Sequence, residues 1–227
     1  MSRGFSPLAS AGFATVFRPW MKRRFSTVSV TTPRAEIFRD VPLIFAANHV
    51  SWWDGFLLIE LQRILRPRAP FHTIMLESEL GQHPFLRHIG AIGIDPESPS
   101  TVLAAIRELS RRVEERPDSV IFFFPQGRIW PSYRRPLGFR RGIEVFCEAI
   151  DSVVLPVAIH IEPLNRIAPH AFVRAGEPLR NGDDLTAPRL EFHVQRELDD
   201  LMTLLKNYGE DVVNHGLCTR QTNQRQA

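Results

Sequence analysis

Val41-Pro42-Leu43-Ile44-Phe45-Ala46-Ala47-Asn48-His49-Val50-Ser51-Trp52-Trp53-Asp54 changes character halfway along its length. The first half is an apolar run of strand length, Val41–Ala47. The second half is polar and aromatic, and it leads into Gly55–Leu65, which reads as a helix. A strand therefore turns a corner into a helix at Asn48–Asp54. The same alternation continues downstream. Phe71–Leu76, Ala91–Ile94, Val120–Phe124 and Val153–Ile161 predict strands, and Thr101–Glu115, Gly142–Ile150 and Arg189–Lys206 predict helices. Within Thr101–Glu115, Val102, Ile106, Leu109 and Val113 recur at spacings of three and four and share one face, and Pro99-Ser100 signals the start. Strands alternating with helices predict an α/β single-domain sandwich, with a mostly parallel central sheet flanked by helices. The continuous apolar runs Val120–Phe124 and Val153–Ile159 fit strands buried on both faces. Pro156, inside the latter, predicts a sheet edge or a bulge. In such folds function gathers beyond the C-terminal ends of strands. Two of those ends carry unusual residues: Asn48-His49 and Pro125-Gln126-Gly127-Arg128.

The whole composition agrees with this frame. A chain of 227 residues, 44% hydrophobic and 23% charged, is long enough for one real core and excludes a disordered class. Phe is used 16 times against 2 Tyr, which fits a Phe-rich core. The two cysteines, Cys147 and Cys218, form no Cys-x-x-Cys pair, so neither a disulfide framework nor a zinc site is indicated, and a reducing, cytosol-facing location fits. Charge is unevenly placed. Residues 1–34 hold six basic residues (Arg3, Arg18, Lys22, Arg23, Arg24, Arg34) and no acidic one, so against a net charge of +3 the remainder is −3. Basic arms bind nucleic acid or anionic lipid. Here Phe13, Val16, Phe17, Trp20, Met21 and Phe25 interleave with the charges, which favours a membrane surface and no nucleic-acid partner. No run reaches the ~20 apolar residues needed to span a bilayer. The basic cluster follows the apolar run instead of leading it, unlike a signal peptide. The expected organisation is thus a basic amphipathic, membrane-associating segment at 1–34, a catalytic domain at 35–216 and a polar, disordered tail at 217–227. The protein is expected at the cytoplasmic face of a membrane, peripheral or monotopic.

His49 and Asp54 are the first chemical pair. With 8 His and 25 acidic residues in 227, chance gives about one His-x4-acid pair, and His72 with Glu77 is a second instance. Setting distinguishes the first pair. On a continuous helix five residues rotate by ~140°, onto different faces. The two side chains meet only if the chain bends between them, as at a strand-to-helix corner. The carboxylate then fixes one imidazole tautomer and leaves the other ring nitrogen for substrate. A structural reading competes: Ser51 caps the helix and Asp54, three residues on, closes a capping box. The second element is Phe122-Phe123-Phe124-Pro125-Gln126-Gly127-Arg128, a buried strand broken by Pro and Gly that delivers a guanidinium suited to phosphate or carboxylate. An ordinary turn with a solvated Arg is the alternative. Gly90-Ala91-Ile92-Gly93-Ile94-Asp95 and Val154-Leu155-Pro156-Val157-Ala158 complete the set, and each alone is structural.

In this order, the four segments resemble the glycerolipid (1-acylglycerol-3-phosphate) acyltransferase family. That family reads NHxSxxD, then G-x-I-x-x-D/R, then FPEGTRS, then a V-P-V-A strand. The likeness spans roughly residues 40–180, and Phe139-Arg140-Arg141-Gly142 resembles the family's F-K-x-G stretch. It implies an O-acyltransferase in which His49 is the general base and Asp54 orients it. The acyl donor would be acyl-CoA or acyl-carrier protein, the acceptor a lysophospholipid-type hydroxyl, with no metal or redox cofactor. Gln126, Gly127, Arg128, Arg140 and Arg141 would bind substrate, and backbone amides near Gly127 would stabilise the oxyanion. No G-x-S-x-G elbow is present, so no acyl-enzyme is required. The chain departs from the pattern at Gln126, where the family has Glu; at Arg128, which follows Gly127 directly, with Ile129 in the usual Arg position; and at Pro96. Arg134 and Arg135 join Arg128, Arg140 and Arg141 as substitutes for displaced phosphate-binding charges. The departures leave open a non-phosphate lipid acceptor (a glycolipid or amino-acid lipid), an acyl-thioester hydrolase, or a non-catalytic membrane-binding relative.

Overall fold

The computed structural model describes residues 17, 19–33, 40–180, 185–213 and 220–221. In chain order the elements are β1 (Thr27–Thr31), β2 (Leu43–Ala47), α1 (Asp54–Leu65), β3 (Phe71–Leu76), α2 (Glu77–Gln82), β4 (Ala91–Ile94), α3 (Pro99–Glu115), β5 (Val120–Phe123), α4 (Gly142–Ala149), β6 (Val153–Glu162), β7 (His170–Ala175), β8 (Leu179–Arg180), α5 (Ala187–Tyr208) and β9 (Arg220–Gln221). A 3-10 turn at Pro84–Ile89 leads into β4, and another follows α5 at Gly209–Val213. The strands form one sheet in the order β4-β3-β5-β2-β6-β7-β1-β9, with β8 on β6. Five of the eight described pairings are parallel, so the sheet is mostly parallel, with antiparallel additions at β7, β8 and β9.

The side-chain period of two divides the core. Leu43, Phe45 and Ala47 of β2, with Val120 and Phe122 of β5, face a cluster built on Phe56, Leu57, Leu58 and Leu61 of α1. Ile44 and Ala46, with Ile121 and Phe123, face the other way onto Ala105, Leu109 and Val113 of α3 and Ile143 and Phe146 of α4. Helices thus cover both faces, which is why the central strands read as unbroken apolar runs. On α3 the expected stripe holds: Leu109 and Val113 are buried, and Val102 and Ile106 pack half-buried at its margin.

Two sequence expectations change. Pro156 lies in neither an edge strand nor a bulge. Its strand is central, paired with β2 along Leu43–Ala47. On the opposite side β8 pairs with Val153 and Val154 and β7 takes over from Val157. Pro156 sits in the changeover, and its carbonyl accepts from Gly176 N–H there at 2.9 Å. A strand residue directs its N and its carbonyl to the same side, so the missing proline N–H faces the changeover and costs the β2 ladder nothing. The first 34 residues, insofar as they are described, are built into the body. Thr27–Thr31 forms β1 beside β7, a strand missed because Thr27-Val28-Ser29-Val30-Thr31 is short and half polar. Met21 and Phe25 are buried in the same cluster as α1. Residues 1–16, 18 and 34 of that segment lie outside the described residues. So does the tail except Arg220–Gln221, which pairs antiparallel with β1. Among the described residues no helix is long and apolar enough to cross a membrane.

On β3, one strand in from the sheet edge, buried His72 lies 3.4 Å from Arg112 of α3. Burial first, and then the Arg112 charge, push its pKa from 6.5 to about 4, against opposition from Glu108 and the Gly90 backbone. Between those two values the unfolded chain binds a proton that the folded chain does not, so stability falls as pH drops through that window. The loss from pH 7 to pH 4 should be on the order of 3 kcal/mol for this one group. Urea unfolding of wild type and His72→Gln at pH 7 and pH 4.5 checks it: the variant should lose markedly less stability on acidification, and equal losses would contradict the assignment.

Candidate active site

β2 lies between β5 and β6, and all three run parallel, so their C-terminal ends open on one rim. The register sets Ala46 beside Phe123 and Ala47 beside Val157. The next residue, buried Asn48, extends the β2–β6 ladder with its side chain. Its Oδ1 accepts from Ile159 N–H at 2.7 Å and its Nδ2 donates to Ile159 C=O at 2.9 Å. An amide that does both jobs lets the backbone of β2 leave the sheet without orphaning β6.

The corner then folds around Asp54. This first residue of α1 is wholly buried, with side-chain exposure of 0%. Its Oδ2 accepts from His49 Nδ1 at 2.7 Å, Val50 N–H at 2.6 Å and Ser51 N–H at 2.9 Å. Its Oδ1 accepts from the Ser51 hydroxyl at 2.6 Å. Ser51 Oγ in turn accepts from Trp53 N–H at 3.1 Å. Asp54 therefore holds the imidazole and, through Val50 and Ser51 N–H, the turn ahead of α1; the expected capping box does not form, because Trp53 and not Ser51 stands at the N-cap and no side chain caps the helix. Because the carboxylate accepts at Nδ1, the neutral ring carries its proton on that nitrogen and its lone pair on Nε2. The ring stacks on Phe124 with centroids 4.3 Å apart. His49 keeps 22% of its side chain exposed, so it is oriented and still reachable.

The loop between β5 and α4 grips the same corner. Pro125 and Gln126 occupy a tight turn closed by Gly127 N–H to Phe124 C=O at 3.0 Å, and Gly127 has φ +66°, a conformation that favours glycine. That bond engages the Gly127 amide, so it is not available as an oxyanion donor. Gln126 is 3% exposed. Its Oε1 accepts from His49 N–H at 2.6 Å and its Nε2 donates to Leu137 C=O at 2.9 Å. The carboxamide expected to meet substrate is thus engaged by the protein itself. Trp130 N–H donates to His49 C=O at 2.8 Å, so both peptide groups of His49 are tied to this loop. Farther along, the Ser132 hydroxyl pairs with His160 Nδ1 at 2.9 Å, and His160 Nε2 pairs with Glu162 at 2.8 Å, tethering the loop to β6. Burial lowers the His160 pKa, against the opposing pull of Glu162.

The five arginines separate into two groups. Arg135 pairs with Asp199 and Arg141 with Glu144. Arg128, Arg134 and Arg140 have no acidic partner among the described residues. Arg128 and Arg134 lie over the Trp130 ring, 4.1 and 3.4 Å from its centroid. One Arg134 guanidinium nitrogen is buried with no hydrogen-bond partner among the described residues. Arg140 lies against Gly127, where an added Cβ would stand 3.7 Å from the guanidinium. Of the residues expected from sequence, the structure therefore gathers His49, Asp54, Gln126, Gly127, Arg128 and Arg140 around one rim and leaves Arg141 exposed just ahead of α4, paired with Glu144. Asn48, Phe124, Trp130 and Ser132 went unassigned. Asn48 carried a signal, an amide one residue past a buried strand, and the other three carried none. The other two segments serve the scaffold. Asp95 accepts from Glu97 N–H at 3.1 Å in the turn before α3, and a Cβ on Gly90 would stand 2.2 Å from Phe71 O. Among the described residues no cluster of His, Cys, Asp and Glu suits a metal.

No match is found among curated proteins. In fold the chain is similar to the crystal structure of the 1-acyl-sn-glycerophosphate (LPA) acyltransferase PlsC from Thermotoga maritima. The TM-score is 0.58 at 20% identity, over 85% of this chain and 79% of that one. The sequence profile of the Acyltransferase family matches residues 29–160, more than half of the chain and the whole of the His49 corner with its gripping loop, and the chain therefore belongs to the acyltransferase family.

Proposed function

We propose that this protein moves a fatty acyl group from an acyl thioester, on coenzyme A or acyl-carrier protein, to a hydroxyl of a lysophospholipid-type acceptor. One observation carries the reading: His49 Nδ1 is held by buried Asp54 at 2.7 Å while its other nitrogen keeps a lone pair on a reachable ring. The acceptor hydroxyl attacks the thioester carbonyl carbon, and His49 Nε2 takes its proton. As the tetrahedral intermediate collapses the C–S bond breaks, and the imidazolium returns the proton to the departing thiolate. Asp54 stabilises the imidazolium and prevents the ring from turning. An anionic acceptor is supported by Arg128, Arg134 and Arg140, the loop arginines without a carboxylate partner among the described residues, grouped beside Gly127 and Trp130.

A membrane face is supported by an aromatic row next to the same corner. Trp20, Trp52 and Phe85 are 45%, 44% and 47% exposed. Trp52 touches both Trp20 and His83, and His83 touches Phe85. Lys22, Arg23 and Arg24 are exposed beside Trp20. Tryptophans with flanking cations suit the headgroup zone of an anionic leaflet. A hydroxyl acceptor anchored by its acyl chain would then reach His49 from the bilayer.

Labelled acyl-CoA with a panel of phosphate-bearing and neutral lysolipids and lipid alcohols tests the chemistry. His49→Ala should lower kcat by about 10²–10⁴-fold. Transfer at the wild-type rate would reject the general-base role, and thioester loss without an acylated lipid would make the protein a hydrolase. Arg128→Ala and Arg134→Ala should each raise KM for the phosphate-bearing acceptor about ten-fold and leave neutral acceptors alone. An equal effect on both classes would argue against headgroup recognition. Flotation with anionic vesicles tests the surface: Trp20→Ser combined with Trp52→Ser should reduce the bound fraction several-fold, and unchanged binding would move the membrane contact elsewhere.

A further inference from the structure

The Gln126 carboxamide is aimed in one direction only. Its Oε1 faces an N–H, that of His49, at 2.6 Å, and its Nε2 faces a carbonyl, that of Leu137, at 2.9 Å. Turned over, it would set nitrogen against N–H and oxygen against carbonyl. Both partners are main-chain groups, and Gln126 and Leu137 are buried. Trp130 N–H holds the opposite side of His49, on its C=O, at 2.8 Å. The ring of His49 is fixed by Asp54, but nothing in that pair fixes the Cα from which the ring hangs. The loop does so through these two bonds.

We propose that Gln126 is a positioning residue for His49, acting through the His49 peptide N–H and not on substrate, and that this site requires a group that both accepts and donates. A glutamate carboxylate, the residue of the family pattern at this position, would accept from His49 N–H but would set its second oxygen against the Leu137 carbonyl. Buried and facing that carbonyl, such a carboxyl would hold its proton to higher pH than usual, and in the protonated form would reproduce both bonds. The amide performs both tasks at every pH. The proposal rests on His49 being the base. A displacement of the base by about 1 Å can cost on the order of 100-fold in rate, so the effect belongs in kcat.

The test measures kcat and KM of wild type, Gln126→Glu, Gln126→Ala and His49→Ala from pH 6 to pH 9, with thermal melts alongside. Gln126→Ala should lose on the order of ten- to a hundred-fold in kcat, with KM for either substrate within about two-fold. For Gln126→Glu, the ratio of its kcat to that of wild type should fall as pH rises and recover as pH is lowered. Taking the ratio cancels the titration of His49 itself. A rise in KM for the acceptor with kcat intact would make Gln126 a substrate-binding residue and overturn the proposal. So would wild-type kinetics in both variants, or a pH-independent ratio for Gln126→Glu. If His49→Ala still transfers acyl groups, the general-base reading fails on its own; if it is inactive while both Gln126 variants behave as wild type, only the positioning role falls. Should neither variant fold, amide exchange in the wild-type protein decides. The His49 N–H, one residue beyond Asn48 and outside any strand, should be protected as strongly as the amides of β2. Fast exchange there would remove the bond on which the proposal stands.

Discussion

A buried strand that ends inside a protein leaves peptide groups that must find partners, and the corner after β2 is organised by that requirement. Three side chains supply what the ladder no longer does. Asn48 completes the hydrogen bonding of Ile159 on β6. Asp54 takes the N–H groups of Val50 and Ser51. Gln126 takes the N–H of His49. Each is polar, each is buried, and each bonds main chain, Asp54 holding the His49 ring and the Ser51 hydroxyl as well. The imidazole is left partly open. Without these bonds the chain between Ala47 and α1 would bury unsatisfied amides, at roughly 1–3 kcal/mol each. The geometry that aims His49 is thus the same geometry that lets the strand stop.

This ties chemistry to the sheet. β5 and β6 flank β2, and each delivers part of the corner: Phe124 and Gln126 come from the end of β5, and the Ile159 peptide belongs to β6. The loop from Pro125 to Arg141 has no regular structure, yet it is fastened at several points. Arg140 N–H returns to Pro125 C=O at 2.9 Å, Leu137 packs with Ala158, Val194 and Leu198, and His160 holds Ser132. A loop held this way can keep Arg128, Arg134 and Arg140 in place without ion pairs among the described residues. Arg135 and Arg141 are paired by carboxylates.

The sequence made α1, α3, α4 and α5, the strands β2 to β6 and the His49–Asp54 meeting legible, because apolar periodicity and a strand-to-helix corner are local properties, while the short α2 went unread. What it concealed was set by partners far along the chain. Thr27–Thr31 is a strand because β7, more than a hundred residues later, lies beside it. Pro156 looked like an edge residue because nothing local reveals that β8 hands over to β7 at that point. Gln126 looked like a ligand contact because motif position carries no information on burial. Arg135 could not be sorted from the other arginines, since its partner Asp199 lies far along the chain, whereas Glu144 stands only three residues after Arg141.

His72 and Glu77 make the sharpest contrast, because they share the spacing of His49 and Asp54 and differ in everything else. His72 stands inside β3, not beyond its end, so extended backbone carries the chain away from it. Glu77 opens α2 and pairs with Arg87 at the surface, while His72 is buried against Arg112. Burial and a neighbouring cation make that ring a poor proton acceptor, with its pKa near 4. His49 has a carboxylate at Nδ1 in place of a guanidinium, and a reachable ring in place of a sealed one. The five-residue interval is common to both; the chemistry follows from where the strand ends.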